Sequence, residues 1–186
     1  MGKSITKPQI NHPYRSPDDG IPLNYYEKTM RIGTGYDIHR LVEGRELVLG
    51  GVKIPHHKGL LGHSDADVLS HAIADALLGA AGLRDIGYYF PNNDPDIEGI
   101  DSQIIIEKTV AEIAKHGLKP HNVDAALIAE EPKIGPHLDA MKTKLSSSLG
   151  IPSTSIGIKA TTNEGIGDLG KGAGIAAHAV CLLIEV

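Results

Sequence analysis

An aspartate and a histidine stand two residues apart in the stretch GYDIHR, as Asp37 and His39. Side chains two apart on a β-strand point to the same face, so this pair can converge on one point. A carboxylate oxygen and an imidazole nitrogen are both common ligands of zinc. The pair therefore predicts part of a metal site, whose remaining ligands must come from elsewhere in the chain.

Candidate ligands recur at steps of four residues in the stretch GHSDADVLSHAIAD, as His63, Asp67, His71 and Asp75. If this stretch is helical from Ser64, the last three share one helix face. One aspartate and two histidines leave a fourth zinc position open, as catalytic zinc sites do. His71 completes such a set, although His63 or Asp67 fits the spacing too. A solvated polar stripe on a helix is the alternative interpretation.

A second polar cluster follows a predicted strand in IKATTNEG, where Thr161, Thr162 and Glu164 supply two hydroxyls and one carboxylate. This combination suits phosphate together with a hard cation. The next segment, GIGDLGK, matches a P-loop only superficially, because Gly172 replaces the Ser or Thr that holds magnesium and a strand is predicted to follow. A glycine-rich loop with one lysine can still receive phosphate on its backbone N–H groups. A polar turn without function is the alternative.

Alternating helices and strands must position these clusters. Strands are predicted in RIGTGYDI, ELVLGGVKI, VDAALIAE, SIGIKATT and AGIAAHAVCLLIEV. Helices are predicted in SDADVLSHAIADALLGAAG, with Ser64 as N-cap and Gly82 at its end, in DSQIIIEKTVAEIAKHG, capped at Asp101 or Ser102, and in GPHLDAMKTKLSSSLG, ended by Gly150. This alternation predicts an α/β two-layer sandwich.

The composition limits the number of domains and the kinds of partner that the chain can have. The chain has 186 residues, 41% hydrophobic, with a net charge of -5, which fits one globular domain and no basic surface for nucleic acid. We expect residues 1–29, with prolines at 8, 13, 17 and 22, to form a mobile N-terminal extension and residues 30–186 to form the compact domain. The sequence has no apolar run long enough to predict a membrane span, and residues 1–29 lack the apolar core that would predict a secretory signal. The lone Cys181 lies in an apolar run and is predicted to be a core residue.

Five motifs in a fixed order carry a family resemblance: MRIGTGYDIHR, GLLGHSDADVLSHAIADALLGAAGLRDIG, YYFPNNDP, IAEEPKIGPH and IKATTNEGIG. Over residues 30–186 the chain resembles the 2-C-methyl-D-erythritol 2,4-cyclodiphosphate synthase family of non-mevalonate isoprenoid biosynthesis. The resemblance implies a mixed β-sheet packed against helices and a homotrimer with active sites between subunits. It implies a metal-dependent phosphorus–oxygen lyase that converts 4-diphosphocytidyl-2-C-methyl-D-erythritol 2-phosphate to the 2,4-cyclodiphosphate and CMP.

The resemblance also implies roles for single residues. It places zinc on Asp37, His39 and His71, and magnesium or manganese on Glu164. It gives transition-state stabilisation to His63 and Thr162. The implied substrate-binding residues are Asp37, Ile38, His39, His63, Ser64, Asp85, Ile86, Gly87, Phe90, Pro91, Asn92, Asn93, Asp94, Ala129, Pro132, Lys133, Ile134, Gly135, Thr161, Thr162, Asn163, Glu164, Asp168 and Lys171. Asp75 is then a candidate hydrogen-bond partner of a liganding imidazole.

Three departures from the family pattern stand out. Asn92 replaces the usual carboxylate, and Asn163 replaces the last threonine of a triple-threonine pattern. Lys171 and Ala173 stand where some members carry Arg and Glu near a cavity on the threefold axis. Because Arg and Lys bind phosphate with different geometry, the sequence leaves isoprenoid-diphosphate binding on that axis undecided.

Two other functions fit the same residues. A zinc-dependent phosphodiesterase would use the same ligands and release two linear products. A trimeric module with a structural zinc would have a closed site of four protein ligands, and the set of three ligands together with the second Thr/Glu cluster argues against it. For the synthase function we expect a small cytidine diphosphate substrate, no nucleic-acid or membrane partner, and a location in the cytoplasm of a bacterium or in a plastid-type organelle of a eukaryote.

Overall fold

A computed structural model describes residues 30–91 and 99–186. The described strands are β1 (Met30–Glu43), β2 (Leu47–Leu49), β3 (Val52–Ile54), β4 (Lys58–Leu60), β5 (Leu118–Ile128), β6 (Ile156–Thr161) and β7 (Gly174–Glu185). The described helices are α1 (Val68–Ala81), α2 (Ile86–Tyr89), α3 (Ser102–Ala114), α4 (Leu138–Leu149) and α5 (Gly167–Gly170). Residues 1–29, the predicted extension, lie outside the described part of the chain.

The main sheet has five strands in the order β4-β1-β7-β5-β6. The β5–β6 pair is parallel, whereas the other neighbours are antiparallel. This confirms the predicted mixed sheet. The register aligns Asp37 with Ala177, Ala177 with Leu127, and Leu127 with Ala160. The two predicted polar clusters, on β1 and after β6, therefore lie at the same end of the sheet.

One face of the sheet is covered by α1, α3 and α4, which confirms the two-layer sandwich. On β1 this inner face begins with Gly33 and Gly35, both buried. A Cβ built on Gly35 would lie 2.0 Å from the backbone oxygen of Ala72, and one on Gly33 would lie 2.1 Å from that of Ala76. Any larger residue at these positions would push α1 away from β1. The two glycines thus set the distance between the strand and the helix that carry the predicted metal ligands.

No helix among residues 30–91 and 99–186 covers the other face of the sheet. Its apolar side chains include Ile32, Tyr36 and Ile38 on β1, which are 73%, 55% and 49% exposed, and Val180 on β7. The strands therefore alternate between buried inner residues and exposed outer ones, although many of the outer ones are apolar. Contiguous exposed apolar surface of this kind is typical of an interface with another protein.

Helix α1 starts three residues later than predicted. Its N-cap is Asp67, whose Oδ1 accepts from the backbone N–H groups of Leu69 and Ser70, so the prediction of Ser64 as N-cap is wrong. The same carboxylate also accepts from the N–H groups of Gly50 and Gly51 in the turn between β2 and β3. These contacts outside the helix explain why Asp67 is the N-cap. The predicted C-cap, Gly82, is confirmed in a left-handed conformation.

Other elements differ in detail from the prediction. The stretch ELVLGGVKI forms two short antiparallel strands, β2 and β3, because the intervening glycines both have positive φ. The short elements β4, α2 and α5 were not predicted. Of the two caps predicted for α3 the structure selects Asp101, and the predicted end of α4 at Gly150 is confirmed. None of the helices described is both long and apolar enough to span a membrane.

Candidate active site

Asp37, His39 and His71 converge on one point, as the sequence predicts. Asp37 Oδ2 lies 2.9 Å from His39 Nε2 and 2.9 Å from His71 Nδ1, and the two nitrogens are 3.3 Å apart. Zinc bonds of about 2.0–2.2 Å in tetrahedral geometry place donors about 3.3–3.6 Å apart. The observed triangle fits a divalent metal after a small outward adjustment. Within residues 30–91 and 99–186 it is the only such group of three or more His, Cys, Asp and Glu side chains.

Hydrogen bonds outside the triangle orient two of the ligands. His39 Nδ1 donates to the backbone oxygen of Leu61 at 2.7 Å, because a carbonyl can only accept, and Nε2 is left with its lone pair towards the triangle. Asp37 Oδ1 accepts from the N–H of Ile38 at 2.8 Å, which leaves Oδ2 to face both imidazoles. His71 presents Nδ1 to the triangle, and its Nε2 points to the start of α3.

The Asp37 carboxylate supplies a negative charge to the cluster. Burial alone would raise the pKa of Asp37, but the close contacts with the His39 and His71 imidazoles lower this pKa far below its ordinary value. Burial would likewise lower the pKa of His39, but the Asp37 carboxylate outweighs it and the pKa is raised. The carboxylate is therefore ionised at neutral pH and is ready to act as a ligand.

A cavity of about 220 Å³ opens beside the triangle. The predicted ligands Asp37, His39 and His71 form part of its wall. Five predicted substrate-binding residues also line it: His63, Ser64, Ile86, Gly87 and Phe90. The structure thus brings the predicted metal ligands and five further predicted substrate-binding residues together around one cavity. Gly62, Ile100 and Ile105 complete the wall and were not predicted.

Asp75 and Asp67 do not act as the sequence suggested. Asp75 Oδ1 accepts from the backbone N–H of Ile86 at 2.8 Å and so holds the start of α2 against α1, which makes the prediction that it orients an imidazole wrong. Asp67 is fully buried as the cap of α1 and is not part of the triangle. Asp85, a predicted substrate residue, is the N-cap of α2 and accepts from the N–H of Tyr88.

The second cluster lies at the end of β6 and in the loop that follows it. Thr162 Oγ1 donates to Glu164 Oε1 at 2.6 Å, and both side chains are exposed. Glu164 has a φ of 52°, a left-handed conformation that costs a non-glycine residue about 1 kcal/mol or more. Strain of this kind concentrates at functional sites, which favours Glu164 as a cation ligand over a polar turn without function.

Glu130 joins the loop after β5 to the second cluster. Its Oε1 accepts from the backbone N–H of Asn163 at 2.8 Å, and the N–H of Ala129 donates to the oxygen of Thr161 at 2.9 Å. The predicted cytidine-binding stretch 129–135 is therefore adjacent to the Thr/Glu segment. In that stretch Ile134 is buried and Lys133 is exposed. The quoted motif IAEEPKIGPH contains Glu130, but only its backbone contact reveals this role.

The two clusters do not meet within one chain. β1 and β6 are three strands apart in the sheet, which corresponds to about 14 Å at normal strand spacing. The residues of the Thr/Glu cluster do not line the cavity beside the triangle. Asp168 lines a separate pocket with Ile38 and His39, and Lys171 is exposed at the end of α5. Predicted residues Asn92, Asn93 and Asp94 lie outside the described residues, and Pro91 is exposed at their edge.

Comparison with known proteins gives consistent matches. The model of the YgbB family matches residues 30–184. The curated 2-C-methyl-D-erythritol 2,4-cyclodiphosphate synthase of Synechococcus sp. strain JA-2-3B'a(2-13) is 55% identical over 156 residues, which are 84% of this chain and 99% of that protein.

Solved structures of the same kind of enzyme are also similar. A 2C-methyl-D-erythritol-2,4-cyclodiphosphate synthase in its CDP-bound form is 40% identical, with a TM-score of 0.76 over 82% of this chain and 99% of that one. The bifunctional IspDF from Campylobacter jejuni is 34% identical, with a TM-score of 0.82 over 86% of this chain. This chain spans only 43% of that bifunctional protein.

Proposed function

The chain belongs to the YgbB family, and we propose that its Asp/His triangle and its Thr/Glu cluster are the two halves of the active site. Its activity is that of the curated relatives. It converts 4-diphosphocytidyl-2-C-methyl-D-erythritol 2-phosphate to 2-C-methyl-D-erythritol 2,4-cyclodiphosphate and CMP, as a metal-dependent phosphorus–oxygen lyase. The observation that carries this conclusion is the convergent triangle of donors beside a cavity of about 220 Å³, in a chain 55% identical to a curated synthase.

The reaction is an intramolecular displacement at phosphorus. An oxygen of the 2-phosphate forms a bond to the β-phosphorus, and the bond from that phosphorus to the α–β bridging oxygen breaks, so that CMP leaves with the electron pair. The attacking phosphate is already anionic at neutral pH and needs no general base. This agrees with the absence of a recognisable nucleophile–base pair in the sequence. Holding both phosphates in line can contribute about 7–11 kcal/mol in favourable cases.

We assign zinc to Asp37, His39 and His71, because one carboxylate and two imidazoles leave a position open for substrate. We assign magnesium or manganese to Glu164, because a carboxylate beside hydroxyls suits a hard cation. When bound, these cations reduce the repulsion between the phosphates and stabilise the charge that develops during transfer. The residues of the chain hold the substrate in position for that chemistry.

Substrate positioning divides between the two clusters. We propose that His63, Ser64, Ile86 and Gly87, which line the cavity, contact the methylerythritol end together with Asp85. The cytidine end would lie against the stretch 129–135 and the hydroxyls of the Thr/Glu cluster, where Glu130 fixes the backbone. The CDP-bound form of a similar solved synthase supports a cytidine diphosphate ligand here.

The remaining predicted roles complete this proposal. His63 would donate a hydrogen bond to the reacting phosphates, and Thr162 would do so once a cation takes the place of its proton at the Glu164 carboxylate; both contacts would stabilise the transition state. His63 is exposed on the cavity wall, while Thr162 lies 2.6 Å from the Glu164 carboxylate. Phe90 on the cavity wall, with Pro91, would help to enclose the sugar.

Assembly would bring the two halves together. We propose a homotrimer in which the triangle of one subunit faces the Thr/Glu cluster of the next. Two observations support this: the halves are about 14 Å apart within one sheet, and the outer face of that sheet exposes apolar side chains such as Ile32 and Tyr36. Light scattering should report a trimer at working concentration.

The products test the activity directly. Phosphorus NMR of the reaction with the cytidylated substrate should show CMP and two coupled signals of one cyclic diphosphate. Linear products, a phosphomonoester together with CMP, would indicate the phosphodiesterase alternative instead.

A further inference from the structure

The imidazole of His71 is held from behind by two residues that the reaction does not otherwise use. Ser102, the first residue of α3, places its Oγ 3.0 Å from His71 Nε2. Asp65, in the loop before α1, accepts from both the Oγ and the backbone N–H of Ser102. Ser102 is fully buried and His71 is 7% exposed, so water has little access to this contact.

The direction of the protons in this chain of contacts follows from what each group can donate. The Asp65 carboxylate is an acceptor only, and the Ser102 hydroxyl has one proton, which it donates to Asp65 Oδ1. A lone pair of Ser102 Oγ is then left to face His71 Nε2, so that Nε2 must be the donor. A neutral imidazole with its proton on Nε2 has its lone pair on Nδ1, the atom that faces Asp37 and His39.

Ser64 is a weaker candidate for the same role. Its Oγ lies 3.3 Å from His71 Nε2, and this oxygen already accepts from the backbone N–H of Ala66 at 3.0 Å. The contact with Ser102 is shorter. The carboxylate of Asp65 also fixes the direction of the Ser102 proton, whereas the hydroxyl of Ser64 is not seen to donate to a carboxylate among the described contacts.

We propose that Asp65 and Ser102 are positioning residues that fix His71 with its proton on Nε2, and so hold the Nδ1 lone pair towards the bound divalent metal. The inference rests on the metal site of the proposed function and adds to it a link from α3 to the ligand on α1. Partners that orient a ligating histidine typically change metal affinity by about 10–100-fold when they are removed.

Ser102→Ala tests this link, and Ser148→Ala is its matched control. Ser148 is a buried serine of α4 whose hydroxyl donates to Gln103 Oε1, so its loss also removes one buried hydrogen bond. Zinc affinity is measured by competition with a chromophoric chelator, and the absorption of the cobalt-loaded protein reports ligand geometry. We expect Ser102→Ala to bind zinc about 10–100-fold more weakly and to alter the cobalt spectrum. We expect Ser148→Ala to match the wild type in both.

Asp65→Asn provides a second variant, because an amide places a donor where Ser102 also donates. It should weaken zinc binding as well. If either variant fails to fold, NMR of the zinc-loaded wild type still tests the proposal. A slowly exchanging proton on Nε2 of His71 is expected, and a rapidly exchanging one would overturn the proposal. Wild-type affinity and spectrum in a folded Ser102→Ala would overturn it too, with the metal site intact. A wild-type protein that binds no zinc would instead refute the metal site itself.

Discussion

The three residues of the triangle come from two elements, and His71 is the one whose place depends on tertiary packing. Asp37 and His39 share a strand face, while His71 comes from α1 and is buried against them. We therefore expect His71→Ala to lose most of the zinc that the wild type binds, measured by elemental analysis of the purified protein. His121→Ala, which removes an exposed histidine of β5, should retain the wild-type content. Full zinc occupancy in His71→Ala would remove this residue from the site.

The variant Glu164→Gln tests the role of the Thr/Glu cluster, the second half of the proposed site. Because glutamine keeps the shape and removes the negative charge, Glu164→Gln should leave zinc content and assembly unchanged. Its turnover should fall by about a hundredfold or more, since an interaction that strengthens towards the transition state is lost. The measurement is the rate of CMP formation across a magnesium titration.

Glu107→Gln, an exposed glutamate on α3, is the control and should behave like the wild type. A wild-type rate with unchanged magnesium dependence in Glu164→Gln would refute the second metal assignment, while the zinc assignment would stand.

At the scale of single residues, the sequence predicted what depends on local spacing. The two-residue spacing of Asp37 and His39 was sufficient for a shared strand face. His71 could not be separated from His63 or Asp67 by spacing alone, and only the resemblance selected it. The roles of Asp67 and Asp75 were missed because their partners, Gly50 and Ile86, are backbone groups of other elements.

The packing of α1 on β1 is the feature of the elements on which the triangle depends most. Gly35→Ala should destabilise the protein by about 1–3 kcal/mol or more, because its Cβ would meet the Ala72 oxygen at 2.0 Å. It should also weaken zinc binding, since α1 carries His71. Denaturant unfolding of the metal-free protein measures the destabilisation.

Gly79→Ala is the control for this change. Gly79 is an exposed position of α1, and the nearest atom to a Cβ there is the Thr34 oxygen at 3.7 Å. Because alanine favours a helix over glycine, this variant should be more stable by about 0.5–1 kcal/mol. Equal stability of Gly35→Ala and the wild type would show that the close contact does not set the position of α1.

Most elements were predictable because their signals are local. The alternation of β7 and the caps of α3 and α4 needed no knowledge of distant residues. The turn at Gly50–Gly51 was missed because two glycines inside an apolar run can also continue a strand, and only the carboxylate of Asp67 fixes the turn. The short helices α2 and α5 have four residues each, too few for a periodic pattern.

At the scale of the whole molecule, the halves of the active site should come from different subunits. Mixing His71→Ala and Glu164→Gln chains, each inactive alone, should restore activity. Random mixing into rings of three gives one intact site in each mixed ring, which corresponds to about a quarter of the wild-type activity. The measurement is CMP formation after the two variants are unfolded and refolded together.

Refolding each variant alone is the control for this mixing experiment and should remain inactive. If mixtures of trimeric protein gained no activity, both halves of the site would have to lie in one subunit, against the separation across the sheet. Assembly could be predicted only through the family resemblance, since a single chain does not reveal what covers its exposed sheet face. The two predicted cellular locations stay predictions.

The central claim is that phosphate attacks phosphate within one substrate molecule, without water. Turnover in water labelled with oxygen-18, followed by mass spectrometry of both products, tests it most directly. The account predicts that neither the cyclic diphosphate nor CMP gains labelled oxygen. It also predicts that the mass of the sugar product is lower, by the mass of one water molecule, than that of the linear product of hydrolysis. One labelled oxygen in a linear phosphate product would contradict the account and would show that the site hydrolyses its substrate.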